Sequence, residues 1–408
     1  MVGLVALAAL AAGGIAWAVR DDAPYVAPSP EQSAPRPWPA GASAALQDLE
    51  TALGDGDEDA AAALAPAGDP EAAELLRAAA ANARLLGLEL DLRYVDEAGS
   101  VDASGRWAGA VDATWRFRGD AGRDPSRAEL DVQFVPAGAD RVAIAGFGRP
   151  GAGRVPGWLA GPVVVRRAPR VLVVVAGAGS LGRTEAERYV RLASASARVV
   201  GRVLPDWRGR LVVEVPATSA ALDRALDAEP GHTAGIAAVT APADGSTGTD
   251  SPVHVFVNPE VFDRLQPTGA RVVLSHEAVH VATAAARSDV APWLLEGFAD
   301  YVALRDVDLP LSTTAGQIIR QVRRDGVPDH LPGPDEFATG ATHLGATYES
   351  AWLACVLLAE SGGEQALVDL YDDVAGGHSL EAALVQRFGI TEAGLTRRWQ
   401  RRLADMAG

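Results

Sequence analysis

The chain changes its hydrophobic period part-way along, and that change excludes any fold built from one kind of element. From residue 88 onward apolar side chains fall on alternate positions. Leu88, Leu90, Leu92 and Tyr94 form one set, Trp107, Val111, Ala113, Trp115 and Phe117 a second, and Ala128, Leu130, Val132 and Phe134 a third, with Val142 and Ile144 closing the series. Alternation gives each strand one apolar and one wet face, the pattern of an antiparallel sheet covered on one side. After Val257 the apolar spacing is almost wholly helical. The fold class expected is α+β.

At 408 residues the chain exceeds one average domain. Residues 42–148 read as a first unit. It opens with helical segments at about 44–53 and 70–86, the second with Asp69 at its N-cap and Pro70 in its first turn. The strand runs follow. Helices leading into a meander of long strands resemble the NTF2-like (SnoaL-like) cone fold, and that resemblance rests on order and pattern alone. It implies a domain able to enclose a pocket, but no acid–base pair stands here, so an accessory role is expected. Residues 149–168, rich in Gly and Pro, read as a connector. Residues 169–408 read as one α+β domain, with strands at 171–175, 211–215, 236–239 and 253–257 and a helix at 184–203. No internal repeat is found.

The charge balance is acidic, −17 net, and every cation is an arginine. Phosphate backbones are bound by clustered cations, so this acidic balance argues against a nucleic-acid partner. Cys355 is the single cysteine, which rules out an intrachain disulfide; it lies in an apolar run and reads as a buried structural thiol. Residues 2–19 carry no charge and are ended by Arg20, Asp21 and Asp22. A run of that length just spans a hydrocarbon layer of about 30 Å. Residues 1–20 are therefore expected to be a single membrane anchor holding the rest of the chain outside the cytoplasm. The alternative is a signal peptide cleaved after Ala16-Trp17-Ala18, which would leave a secreted protein. Pro24, Pro28, Pro30, Pro35, Pro37 and Pro39 make residues 21–41 an extended linker that should contain no helix. Oligomeric state cannot be read from the sequence.

Residues 271–287, RVVLSHEAVHVATAAAR, lack Gly and Pro and predict a helix. Within it His276 and His280 stand one turn apart on one face, so both imidazoles can reach one ion. Glu277, the next residue round from His276, is placed to take a proton from water there. Neutral imidazole suits zinc, and a catalytic zinc site has three protein ligands with a fourth position open. The third ligand should come from a neighbouring element. Residues 292–301, PWLLEGFADY, predict a helix that opens on Pro292 and carries Glu296 and Asp300 one turn apart. Glu296 is the natural third ligand, and Asp300 can hold the outer nitrogen of a ligand histidine. The connection 281–291 is short, as a helix–turn–helix requires.

HEAVH followed by WLLEGFADY resembles the gluzincin (peptidase MA-like) clan of zinc metallopeptidases, in the branch with an E-G-x-A-D-Y helix. The likeness spans residues 169–408 and is specific between His276 and Tyr301. It implies a zincin-like fold, Zn2+ on His276, His280 and Glu296, Glu277 as general base, and a peptide or protein substrate. Members of that clan commonly supply a downstream Tyr or His to the oxyanion. Tyr348, opening a helix expected at 348–360, is the first candidate here and His343 the second. The run PVHVFVNP, 252–259, lies where the clan places the strand that pairs with extended substrate, although an ordinary sheet strand fits it equally.

Gly177-Ala178-Gly179-Ser180-Leu181-Gly182 fits a dinucleotide-binding turn between strand and helix. Glu214, the next acidic candidate for a ribose, comes too late, and no further βαβ unit is expected to follow. A Gly-rich turn is the reading preferred to an oxidoreductase. His232, His254, His330 and His378 have no partner spacing and are expected to be solvated or core residues. A catalytically silent binding protein on a peptidase fold is the alternative function, and the intact Glu277 counts against it.

Overall fold

The computed structural model describes residues 36–408 except 121, 123, 139, 150–152, 247–249 and 339. The first helix among the described residues, Pro39–Asp55, starts inside the stretch expected to be an unhelical linker. Proline at the first turn of a helix gives up an N–H that has no partner there anyway. Helix Pro70–Leu86 follows, with the Asp69 carboxylate accepting from Ala72 N at 3.0 Å. Four strands, β1 (Glu89–Glu97), β2 (Trp107–Arg116), β3 (Ser126–Pro136) and β4 (Val142–Phe147), then form an antiparallel sheet in sequence order. Trp107, Val111, Ala113 and Trp115 of β2 and Leu130, Val132 and Phe134 of β3 pack with both helices in one core. That shared face is what the period-two spacing encodes.

A second sheet comprises β5 (Val163–Ala168), β6 (Val171–Ala176), β7 (Leu211–Val215), β8 (Ala238–Pro242) and β9 (Val253–Val257), in the order β5-β6-β7-β9-β8. The molecule is thus α+β with two sheets. Strands β6, β7 and β9 run parallel, and the outer strands β5 and β8 run antiparallel to their neighbours. Two sequence expectations change here. The stretch 149–168 is more than a connector, because its three consecutive valines, Val163 to Val165, build the edge strand β5. In addition, β7 and β9 form a second parallel pair, joined through helix Ser219–Leu226 and β8, where no further crossover was expected.

Both faces of this sheet are covered. Val171, Val173 and Val175 of β6 face the helices of the C-terminal half. Leu172 and Val174 of β6, with Val212 of β7, belong instead to the core of the N-terminal unit. Buried Asn82 joins the layers: its amide donates to Trp158 O at 2.9 Å and Gly161 O at 2.8 Å, and its carbonyl accepts from Val163 N at 3.1 Å.

Helix Gly179–Val203 crosses from β6 to β7 and packs against helix Pro267–Ala282, which carries HEAVH. Helices Pro292–Leu304 and Leu344–Gly362 complete the layer around it. The HEAVH helix starts earlier than the expected residue 271 and stops at Ala282; Ala284 then adopts the left-handed conformation (φ 52°), and a short 3-10 turn covers Ala285–Arg287. Nothing local in this alanine run breaks a helix. The chain turns because Pro292 must come back beside it.

The expected single membrane anchor requires correction. Among the described residues no helix is long and apolar enough to cross a membrane. The segment 2–19, on which that expectation rested, lies outside the described residues.

Candidate metal centre

His276 and His280 project from successive turns of their helix, with ring centroids 4.6 Å apart and planes nearly perpendicular. Glu296 reaches them from helix Pro292–Leu304. The separations are 2.9 Å between His276 Nε2 and His280 Nε2, 3.1 Å from His276 Nε2 to Glu296 Oε2, and 3.4 Å from His280 Nε2 to the same oxygen. Ligand atoms set tetrahedrally at ~2.0–2.1 Å from a zinc ion lie about 3.3 Å from one another. The three atoms fit that geometry. Among the described residues this is the one group of His, Cys, Asp and Glu side chains compact enough to hold a metal ion.

The outer nitrogen of His276, Nδ1, lies 2.8 Å from Asp300 Oδ1. A proton on Nδ1 directed at that carboxylate leaves the Nε2 lone pair facing Glu296 and His280. Burial opposes charge on His276, but Asp300 and Glu296 outweigh it and raise its pKa well above the ordinary imidazole value. Burial likewise pushes Glu296 upward, yet the bonds from His276 and His280 prevail and hold it well below the usual carboxylate range.

Close helix packing sets this arrangement. A Cβ on Gly297 would lie 2.4 Å from Ala351 O and 2.9 Å from Cys355 Sγ, so only glycine lets the Glu296 helix approach helix Leu344–Gly362 this closely. Cys355 is fully buried there, and burial raises its pKa well above the thiol value, which makes it a packing group.

These three side chains open onto a cleft of about 550 Å³, walled by Val239 and Thr240 of β8, by Leu295, Phe337 and Leu344, and by Tyr348. Glu277 faces the same cleft. Its Oε2 accepts from the Thr240 hydroxyl at 2.7 Å. Tyr348 lies in the second turn of its helix rather than opening it, edge-on to His276 with centroids 6.1 Å apart. Burial, then Glu296, Asp300 and Glu277, raise its pKa, so its hydroxyl keeps its proton.

No family model matches the chain, and no curated protein matches it.

The remaining expected residues are placed as follows. His343 is exposed at the N-cap of helix Leu344–Gly362, with Nε2 at 3.4 Å from Arg324 Nη2, and does not line the cleft. Strand β9, read either as a substrate-pairing strand or as an ordinary sheet strand, is the latter, interior to its sheet and flanked by β7 and β8; β8 is the edge, and its residues line the cleft. His232 is exposed at the cleft wall, whereas His254 is buried against Glu214. Sequence reading missed Thr240, Gly297 and Phe337. The E-G pair hinted at Gly297, but nothing near Thr240 ties it to a residue 37 positions away.

Proposed function

We propose that this chain is a zinc-dependent metallopeptidase with a gluzincin-like, zincin-type catalytic half and an NTF2-like accessory unit before it. The observation that carries the reading is the convergence of two imidazole nitrogens and one carboxylate oxygen within 3.4 Å, beside a second glutamate in the same cleft. His276, His280 and Glu296 would hold the ion. A zinc ion there would supply Lewis-acid polarisation of water and of the scissile carbonyl.

The protein's own groups divide the remaining work. Glu277 takes a proton from the attacking water and passes it to the departing amine. Tyr348, kept protonated, donates to the carbonyl oxygen as negative charge develops on it. Asp300 holds His276 in the tautomer that presents Nε2. The unpaired side of β8 offers backbone to an extended peptide, which would lie across the cleft. No arginine lines the described walls, and apart from His276 and His280 the one basic side chain there is His232, so no permanent positive charge is present to grip a free terminal carboxylate. Ile236, Val239, Leu295, Phe337 and Leu344 suit uncharged side chains instead. The substrate class is therefore an internal bond in an extended, largely apolar peptide segment.

The test uses residues 36–408. Bound metal is measured by elemental analysis, and cleavage of an end-blocked peptide library is followed before chelation, after chelation, and in Glu277→Gln. The reading expects one zinc per chain, internal cleavage abolished by chelation, and a Glu277→Gln protein that retains zinc but is inactive. Zinc without cleavage would favour the silent binding protein, and no zinc would remove the hydrolase reading.

A further inference from the structure

We propose that Thr240 is the positioning residue for the general base, and that it links the placement of Glu277 to the strand that receives substrate. The inference rests on the peptidase reading. The Thr240 hydroxyl lies 2.7 Å from Glu277 Oε2 and 3.1 Å from the Glu277 carbonyl oxygen. It carries one proton, and the charged carboxylate is the stronger acceptor. No other described side chain bonds that carboxylate. A glutamate rotating about three side-chain bonds would otherwise sample several directions in the cleft. With Oε2 held, Oε1 remains for the proton taken from water. Threonine is suited to the task because its branched Cβ stiffens χ1.

The location of Thr240 adds a consequence. It belongs to β8, which pairs with β9 on one side only and presents Ala238, Val239 and Thr240 to the cleft. A peptide adding to that edge would order the same strand that orients the base. Binding along β8 and alignment of Glu277 become one event, so a well-bound extended segment is attacked faster than a short one that misses the strand.

The experiment compares wild type, Thr240→Val and Thr240→Ser for zinc content, melting temperature, kcat and KM on one long and one truncated peptide. Thr240→Val should keep its zinc and its KM to within about twofold while kcat falls about tenfold to a hundredfold, the scale of a misplaced reacting group. Thr240→Ser, which retains the hydroxyl, should recover most of that loss. The long peptide should lose its kcat advantage in the valine variant. Unchanged kcat in Thr240→Val overturns the proposal, as does a serine variant no better than valine, since that would make methyl packing the cause. A rise in KM alone would assign Thr240 to substrate binding and overturn it as well. Thr240→Ala replaces the valine variant if the latter shows no melting transition. Absence of cleavage by wild type would instead strike the peptidase reading, and this inference with it.

Discussion

Glu277 and Glu296 face one cleft from adjacent helices, yet their surroundings assign them different duties. Glu296 sits between two imidazoles, which hold it ionised, whereas Glu277 meets a single threonine hydroxyl. Removing the charge at Glu296 should therefore cost metal, and removing it at Glu277 should cost only turnover. Glu296→Gln is expected to lose most bound zinc at micromolar free metal, measured by elemental analysis after gel filtration. Tyr348→Phe should lower kcat by about a hundredfold to a thousandfold with KM little changed, the range for loss of one oxyanion donor. Steady-state kinetics with the zinc content held equal checks it. The raised pKa of His276 gives a further expectation, because a proton and a cation compete for its Nε2. Metal affinity should fall as pH falls through the range where His276 protonates, and binding near neutrality should release a proton. Calorimetry in buffers of different ionisation enthalpy measures that release. At this scale the grouping of His276, His280 and Glu296 was legible because helical spacing is local. Thr240 was not, because its contact spans from a strand to a helix and leaves no periodic trace.

At the level of elements, the centre depends on how closely two helices approach. Gly297 stands one residue from Glu296, where an added Cβ would run into Ala351 O of the facing helix. A methyl group there must push the helices apart, and overpacking of this kind costs about 1–3 kcal/mol. Gly297→Ala should therefore lower the denaturation midpoint and weaken zinc binding together, by chemical denaturation and competition with a chelator. A substitution that lowered stability but left affinity intact would separate the packing from the site. Asp300→Ala leaves the packing in place but frees the outer nitrogen of His276, and should weaken the metal by about tenfold to a hundredfold. Sequence patterning located the strands and helices that matter, since amphipathic periods follow burial. Their ends moved where tertiary demands outweighed local preference, as at Ala284, where an alanine run leaves the helix, and where a locally suited first-turn proline, Pro39, was read as linker. Whether the run 252–259 was an edge or an ordinary sheet strand stayed open for a related reason. Both runs are apolar, and only strand order decides which one is left unpaired.

Over the whole molecule the two halves are held by more than contact. His254 of β9 lies between carboxylates from both: Glu214 Oε1 is 2.6 Å from Nδ1, and Asp120 Oδ1 is 3.6 Å from Nε2. Arg154, also buried, donates to Ala225 O at 2.7 Å close by. Burial resists a charge on His254, but Asp120 and Glu214 overcome it and raise its pKa to about 10. A histidine whose folded pKa exceeds its unfolded one stabilises fully below the unfolded value, near 6.5, and that contribution is lost as pH rises through the folded value. The melting temperature should therefore fall between pH 7 and pH 10.5, and Asp120→Asn should flatten the slope. Differential scanning calorimetry across that range tests both. None of this joint was legible in the sequence, where His254 had no partner at a recognisable spacing and residues 149–168 looked like slack.

The double-sided character of β6 bears on how this chain can be cut. Leu172, Val174 and Val212 are roofed by the N-terminal unit, so trimming back to the half that carries His276, His280 and Glu296 would lay a greasy plane open to water. Such a fragment should clump rather than digest, and screening shortened versions for activity would then mistake insolubility for inertness. The working unit for any laboratory, and for any natural reshuffling of these parts, is the pair.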